Sequence, residues 1–120
     1  MQWKIDGSQP VYVQIISHIR SSILSGEFPP GSRIPSVREL ATAANVNPNT
    51  MQRALAELEH QGILVSNGTL GRFVTEDQTV IEALRQQAIR QTVETCTAMF
   101  HSLGLTLEEA AQLLANKKEE

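Results

Sequence analysis

The stretch SVRELATAANVNPNTMQRALAELEHQG, residues 36–62, contains two helix starts. Ser36 and Glu39 have the spacing of a capping box, in which each side chain accepts a hydrogen bond from the other residue's backbone N–H. Asn47 followed by Pro48 is typical of a capping residue and a first-turn proline. The stretch therefore predicts a short helix that ends near residue 43 and a second helix that runs to about residue 60.

The flanking segments extend this pair of helices. Asn45 lies between them, and asparagine tolerates the left-handed backbone that a tight turn requires. Apolar residues recur at helical spacing between Gln9 and Gly26 and predict an earlier helix. Residues 63–65 and 72–74 are short β-type runs separated by an Asn67-Gly68 hairpin signal. Helix, short helix, turn, helix and hairpin together predict a winged helix-turn-helix, mainly α with a small β-hairpin wing. In this arrangement the second of the paired helices presents its N-terminal end to a DNA major groove.

Residues 76–120 predict two more helices. Apolar residues recur at helical spacing from Gln78 to Leu103, Gly104 follows, and Thr106 with Glu109 forms a second capping box. The apolar face is wider than contact with one neighbour requires, so we expect a second copy of the chain to cover it. We predict a DNA-binding domain at 1–75 and a helical dimerisation region at 76–120.

The predicted dimer interface consists of apolar side chains on these two helices. They are Ile81, Leu84, Ala88, Cys96, Met99, Phe100, Leu103, Leu107, Leu113 and Leu114. The alternative is that the helices pack back onto Val11, Ile15 and Ile19 and leave a monomer.

Composition narrows the class of protein. The 120 residues suit one domain with an appendage, and an aromatic content of 4% argues against a base-stacking surface for single-stranded nucleic acid. No apolar run reaches membrane-spanning length, residues 1–6 lack the apolar core of a signal peptide, and the single cysteine, Cys96, cannot form an internal disulfide. These features predict a cytoplasmic protein. Residues 1–75 carry six Lys/Arg and five Asp/Glu, whereas residues 76–120 carry four and eight, so the acidity lies outside the DNA-binding domain.

Three separated motifs resemble the GntR family of bacterial transcription regulators: residues 10–15 (PVYVQI), 31–41 (GSRIPSVRELA) and 46–54 (VNPNTMQRA). The resemblance continues through the hairpin to about residue 75. It implies a sequence-specific DNA-binding regulator, in most cases a repressor. The short C-terminal part resembles the YtrA-like subfamily, in which this appendage dimerises and the regulated operons often encode transporters.

The sequence departs from the family in the segments that would read DNA. Many relatives have arginine where Pro48 and Gln52 stand, and basic residues where the wing tip, residues 67–70, stands. The base and phosphate contacts that relatives make at these positions therefore cannot be assigned to this chain.

Eleven residues in or next to the paired helices and the wing are predicted to contact DNA. All of them are polar except Gly68. They are Arg33, Ser36, Arg38, Asn47, Asn49, Thr50, Gln52, Arg53, Gly68, Thr69 and Arg72. Arginine pairs with guanine and side-chain amides pair with adenine, whereas hydroxyls and helix N-termini favour phosphate.

Several of these residues also have a structural alternative, and Gln52 could be only solvated. Arg38 could pair with Glu39 or Glu57 as a surface arginine, and Arg53 could pair with Glu57 four residues on. Ser36 and Asn47 act first as helix caps, and Gly68 suits an ordinary tight turn.

Catalytic and metal chemistry are not indicated. His18, His60 and His101 lack metal-like spacing, and the sequence contains no nucleophile motif, no glycine-rich phosphate loop and no carboxylate pair in a recognisable setting. We therefore predict no enzyme activity, no metal and no cofactor.

The predicted partners are a double-stranded DNA operator and a second copy of the chain. A symmetric dimer suits a palindromic operator, with one half-site for each subunit. The alternative is a winged-helix module that docks protein or shapes DNA without sequence-specific regulation. A small-molecule effector would bind between helices, at the dimer interface or near residues 75–77, and control by protein concentration alone is the alternative.

Overall fold

The computed structural model describes residues 3–117. Residues 1–2 and 118–120, at the outer ends of the two predicted domains, lie outside the described residues. The elements, in chain order, are helix α1 (Val11–Leu24), α2 (Val37–Ala44), α3 (Pro48–His60), strand β1 (Leu64–Ser66), a 3-10 turn (Gly68–Leu70), β2 (Arg72–Val74), α4 (Gln78–Ser102) and α5 (Leu107–Asn116). This order confirms the predicted winged helix-turn-helix and the two helices that follow it.

Local hydrogen bonds fix the turn between α2 and α3. Ser36 Oγ accepts from the Glu39 N–H at 3.1 Å, and Glu39 Oε1 accepts from the Ser36 N–H at 3.3 Å. Asn45 ends α2 in the left-handed conformation, with φ 56° and ψ 50°. Asn47 Oδ1 then accepts from the Asn49 N–H at 2.7 Å and opens α3. Each of these capping roles confirms its prediction from the sequence.

The wing is a two-stranded antiparallel sheet, as predicted, and a loop that contains Asn67 and Gly68 connects its strands. Leu64 pairs with Val74 and Ser66 with Arg72, so five residues, 67–71, join the strands. The Asn67 N–H donates to the Gly71 carbonyl at 2.9 Å, and residues 68–70 form the 3-10 turn. Asn67-Gly68 is therefore part of a longer loop and does not form a two-residue turn by itself.

The hydrophobic core lies between α1, α2, α3 and the base of the wing. Helix α3 packs against α1, α2 and strand β1. Apolar burial of this kind is the main favourable contribution to folding. The fully buried large side chains are Ile15, Ile19, Leu40, Met51, Leu55, Leu58, Leu64 and Val74.

The first turns of α4 belong to this core, which corrects part of the predicted interface. The chain divides into two compact units after Leu84, not after residue 75. Ile81 and Leu84 are 7% and 4% exposed and lie in the same hydrophobic cluster as α1 and α3. Their helical spacing correctly predicted a buried face, but this face packs against the same subunit and not against a second copy. They are therefore removed from the candidate dimer interface. We call residues 3–84 the head and residues 85–117 the C-terminal unit.

Ile81→Val is expected to lower the free energy of unfolding by about 0.5–1.5 kcal/mol, because it removes one methyl group from a packed core. Chemical denaturation followed by circular dichroism measures this loss. The dissociation constant of the proposed dimer should stay unchanged in the same variant. The opposite pattern, a weaker dimer with unchanged unfolding, would return Ile81 to the interface.

The C-terminal unit buries little of its own apolar surface. Its last helix, α5, opens with a capping box in which Thr106 Oγ1 accepts from the Glu109 N–H at 3.1 Å. Ala110 is the single buried residue among residues 85–117. Seven large hydrophobic residues in this range are exposed: Ile89, Val93, Met99, Leu103, Leu107, Leu113 and Leu114. None of the helices described between residues 3 and 117 has the length and apolarity that crossing a bilayer requires.

Candidate nucleic-acid interface

The first two turns of α3 form a polar face that the core does not use. Asn49, Gln52 and Arg53 are exposed and Thr50 is half-buried. Met51, Ala54, Leu55 and Leu58 lie on the opposite face of the helix and are completely buried. The core thus holds α3 from one side, and its N-terminal end carries a partial positive charge that attracts anions.

Arg38 is a free cation on the helix that precedes this face. Its side chain is exposed on α2, two residues after the capping residue Ser36, which is exposed as well. Among residues 3–117, Arg38 makes no ion pair, and the alternative pairing with Glu39 or Glu57 is not observed. Glu39 is instead occupied by the Ser36 N–H. The guanidinium of Arg38 therefore remains available to a partner outside the subunit.

Arg53 has a partner that the sequence did not indicate. Its guanidinium carbon lies 3.7 Å from the centre of the Tyr12 ring, in a cation–π contact between α3 and α1. The alternative pairing with Glu57 is again not observed. Tyr12 is 41 residues away in the chain and belongs to the α1 pattern, so no local signal connects it with Arg53. The contact holds the guanidinium at the side of α3 and leaves its charge unneutralised.

A hydrogen-bonded network joins the wing to α3. Arg72 Nε donates to Glu59 Oε1 at 2.8 Å, and Ser66 Oγ donates to the same oxygen at 2.6 Å. Arg72 Nη1 also donates to Gln52 Oε1 at 3.4 Å. Arg72 was predicted to contact DNA, but Glu59 neutralises its charge within the subunit. Glu59, which the sequence analysis did not select, is the centre of this network.

The two donors also change the acidity of Glu59. The hydrogen bond from Ser66, followed by that from Arg72, lowers the pKa of the Glu59 carboxyl from its ordinary value. Because the folded pKa lies below the unfolded one, this carboxylate stabilises the fold at pH values above the unfolded pKa. That contribution is lost as the pH falls through the folded pKa.

At neutral pH, wild type is expected to be more stable than Glu59→Gln, by less than about 1 kcal/mol because the pair is partly exposed. The difference should disappear as the pH falls through the folded pKa of Glu59. Thermal unfolding of both proteins between about pH 7 and about pH 3 measures it. A difference that stays constant over this range would show that the charge of Glu59 does not contribute.

The wing tip is exposed and carries the remaining predicted residues. Gly68 and Thr69 lie in the 3-10 turn, open to solvent. Arg33 pairs with Phe73 as an added bridge at the edge of the wing. Gly71 has φ +115°, and a Cβ there would lie 3.0 Å from Arg33 Nε. Glycine at this position therefore lets the Arg33 side chain pass close over the wing.

The structure brings some of the predicted residues together and separates others. Gln52 and Arg72 are in direct contact, whereas Ser36 and Asn47 serve as the caps of α2 and α3. Arg33 lies at the wing edge and Arg38 on the outer side of α2. Among residues 3–117, no three His, Cys, Asp or Glu side chains lie close enough to hold a metal ion.

Known proteins are similar to this chain in sequence and in fold. The family described as bacterial regulatory proteins, gntR family, matches residues 11–74. The chain is 36% identical to the uncharacterized HTH-type transcriptional regulator YhcF of Bacillus subtilis, over 91% of this chain and 90% of that protein. It is 35% identical to the HTH-type transcriptional repressor YtrA of the same organism, over 85% of this chain and 79% of that protein.

Two solved structures extend the comparison. A GntR family transcriptional regulator from Listeria monocytogenes superposes with a TM-score of 0.83 at 36% identity, covering 95% of this chain and all of that one. AraR(DBD) in complex with operator ORX1 has a TM-score of 0.57 at 29% identity, covering 62% of this chain and 99% of that one. The family match lies within the head, and the YhcF and YtrA alignments, of 109 and 103 residues, are longer than the head. The chain therefore belongs to the GntR family of bacterial regulatory proteins, in the YtrA-like subfamily that its short C-terminal helices indicated.

Proposed function

We propose that this protein is a dimeric repressor that binds a palindromic DNA operator in the bacterial cytoplasm. The observation that carries the proposal is the outer face of α3. Asn49, Thr50, Gln52 and Arg53 stand on the first two turns of this helix, on the side away from the buried stripe. A face of amide, hydroxyl and guanidinium groups at a helix N-terminus suits base edges and phosphates in a major groove.

The relatives support the DNA-binding part of this proposal. YtrA is named a transcriptional repressor, and AraR(DBD) is described in complex with an operator. The AraR match covers about the length of the head of this chain. We therefore assign operator binding to the head, with α3 in the major groove and the wing beside it.

The candidate DNA-binding side chains differ in the part of DNA, base edge or phosphate, that each can contact. Arg38 is unpaired and exposed, so it is our candidate for a guanine contact. The amide of Asn49 suits an adenine edge, whereas Thr50 and the N-terminus of α3 suit phosphate. Arg33 supplies a further cation at the edge of the wing. Arg72 contributes through its contact with Gln52, because Glu59 already pairs with its charge.

The C-terminal unit supports the dimer. Its exposed large hydrophobic residues lie on both α4 and α5, and only Ala110 among residues 85–117 is buried. Large contiguous apolar patches on a soluble protein mark interaction surfaces. We propose a second copy as the occupant, because two identical heads then meet two identical half-sites. Ala88, Cys96, Met99, Phe100, Leu103, Leu107, Leu113 and Leu114 remain the proposed interface residues.

Salt-titrated binding tests this proposal. Fluorescence anisotropy of the full chain is measured on a duplex from the upstream region of its own gene and on a scrambled duplex of the same length. We expect the native duplex to bind at least about 10³-fold more tightly at physiological salt. Footprinting should show two inverted half-sites separated by about one helical turn of DNA or a multiple of it. Equal affinities for the two duplexes would favour an architectural DNA binder, and no binding to either would favour a protein-docking module.

A further inference from the structure

The amide of Gln52 is oriented by a contact with the wing. A guanidinium group only donates hydrogen bonds, so the Gln52 atom that contacts Arg72 Nη1 at 3.4 Å must be the oxygen. With its oxygen turned to the wing, the amide presents its NH2 group to the surroundings. Gln52 is exposed on the outer face of α3, which the proposed function turns to DNA.

The contact that fixes Gln52 is itself held in place. Arg72 donates through Nε to Glu59 Oε1, and Ser66 donates to the same oxygen. Hydrogen bonds therefore run from Ser66 in β1 through Glu59 in α3 and Arg72 in β2 to Gln52 in α3. Donor and acceptor roles are unambiguous at Glu59, since a carboxylate only accepts and arginine only donates. Arg72 cannot accept a hydrogen bond from the Gln52 NH2 group in any orientation, and its bond to Glu59 keeps it beside the Gln52 oxygen.

We propose that Glu59 and Arg72 determine which base Gln52 recognises, by holding its amide as a hydrogen-bond donor. This inference rests on the proposed function. A free glutamine amide pairs with adenine, where it donates to N7 and accepts from N6. Guanine presents N7 and O6, which are both acceptors. An amide whose oxygen is turned to the wing presents only its NH2 donor to a base, so it favours guanine. Glu59 and Arg72 act as positioning residues, and Gln52 makes the base contact.

Asn49 provides a contrast within the same helix. Its backbone N–H is bonded to the Asn47 cap, but its side-chain amide has no partner among residues 3–117. Both ends of that amide are free, so Asn49 keeps the ordinary preference of an amide for adenine. Two amides on one helical face are thus expected to recognise different bases, because only one of them is held by the wing.

Binding-site selection from a random duplex library tests this inference with the full chain. Wild type, Gln52→Ala, Arg72→Met and Glu59→Ala are compared, and affinities for single base-pair changes in the selected site are then measured by anisotropy. Gln52→Ala should lose preference at one base pair of each half-site. At that pair, wild type should prefer guanine over adenine by about tenfold. In Arg72→Met and Glu59→Ala this preference should shift toward adenine.

Two further variants separate the network from general effects of charge and folding. Arg33→Met removes an arginine from the wing edge outside the network, so it should weaken binding without changing the base preference. Glu59→Gln keeps an acceptor oxygen for Arg72, so it should retain the guanine preference. Circular dichroism confirms that each variant is folded.

Failures of the two proposals are distinguishable. A wild-type selection that enriches no sequence would overturn the proposed function. An enriched site in which Gln52→Ala changes no base preference would overturn only the inference. So would a wild-type preference for adenine at the Gln52 base pair, or a guanine preference that survives both Arg72→Met and Glu59→Ala.

Discussion

Replacing Val93 and Met99 together with glutamate is expected to convert the dimer into monomers and to weaken operator binding by about 10²–10⁴-fold. The two side chains are 57% and 62% exposed in the single chain, on the part of α4 that the head does not bury. In a dimer, four added carboxylates would face an apolar surface, and burial of unpaired charge is very unfavourable. The loss of affinity follows because a monomer no longer binds both half-sites at once.

Sedimentation measures the first effect. Wild type should sediment at about twice its mass of 13.2 kDa, and the double variant at the mass of one chain. Gln87→Glu is the matched control, since it adds a carboxylate at an exposed position on the side of α4 away from Val93, Met99 and the proposed interface residues. It should leave the dimer intact. A wild-type protein that is monomeric at micromolar concentration would contradict the proposed interface, as would a double variant that stays dimeric.

The parts of the fold that short-range chemistry determines could be predicted from the sequence. Ser36 and Glu39 cap α2, Asn45 turns the chain in the left-handed conformation, and Asn47 opens α3. Each of these interactions spans five residues or fewer, so the sequence contains the whole interaction. The buried stripe of α3 could be predicted for the same reason, because helical spacing fixes which side chains share a face.

The contacts between elements could not be predicted in this way. Helical spacing continues without a break along α4, so it does not tell which turns pack on the head. Ile81 and Leu84 therefore entered the predicted interface although the head buries them. The Tyr12–Arg53 contact joins two helices, and Glu59 meets Arg72 only once the wing has folded against α3. Such pairs depend on tertiary packing that a single sequence does not display.

The arginines of the head differ in their tertiary contacts, which the sequence does not display. A DNA contact was predicted for each of Arg33, Arg38, Arg53 and Arg72. The structure distinguishes them, since Arg72 is neutralised by Glu59 and Arg53 lies over Tyr12. Arg38 has neither kind of partner among residues 3–117, and it stands on the helix next to the face of α3. It is therefore the arginine most suited to a base contact.

Arg38→Ala is expected to weaken operator binding by about 5–150-fold, which corresponds to about 1–3 kcal/mol for one arginine–guanine contact. Binding to random DNA should fall much less, because a base contact contributes only at the correct sequence. The fold should be unaffected, since Arg38 is exposed and makes no ion pair within residues 3–117.

Anisotropy on the native and scrambled duplexes measures both losses, with Arg90→Ala as the control. Arg90 is exposed on α4 in the C-terminal unit, so its removal changes the net charge equally without touching the proposed interface with DNA. The ratio of the two affinities should fall in Arg38→Ala and stay constant in Arg90→Ala. Equal losses on both duplexes would make Arg38 a phosphate contact, because phosphates are the same in every sequence. Unchanged binding to both would remove Arg38 from the interface and leave sequence recognition to α3 alone.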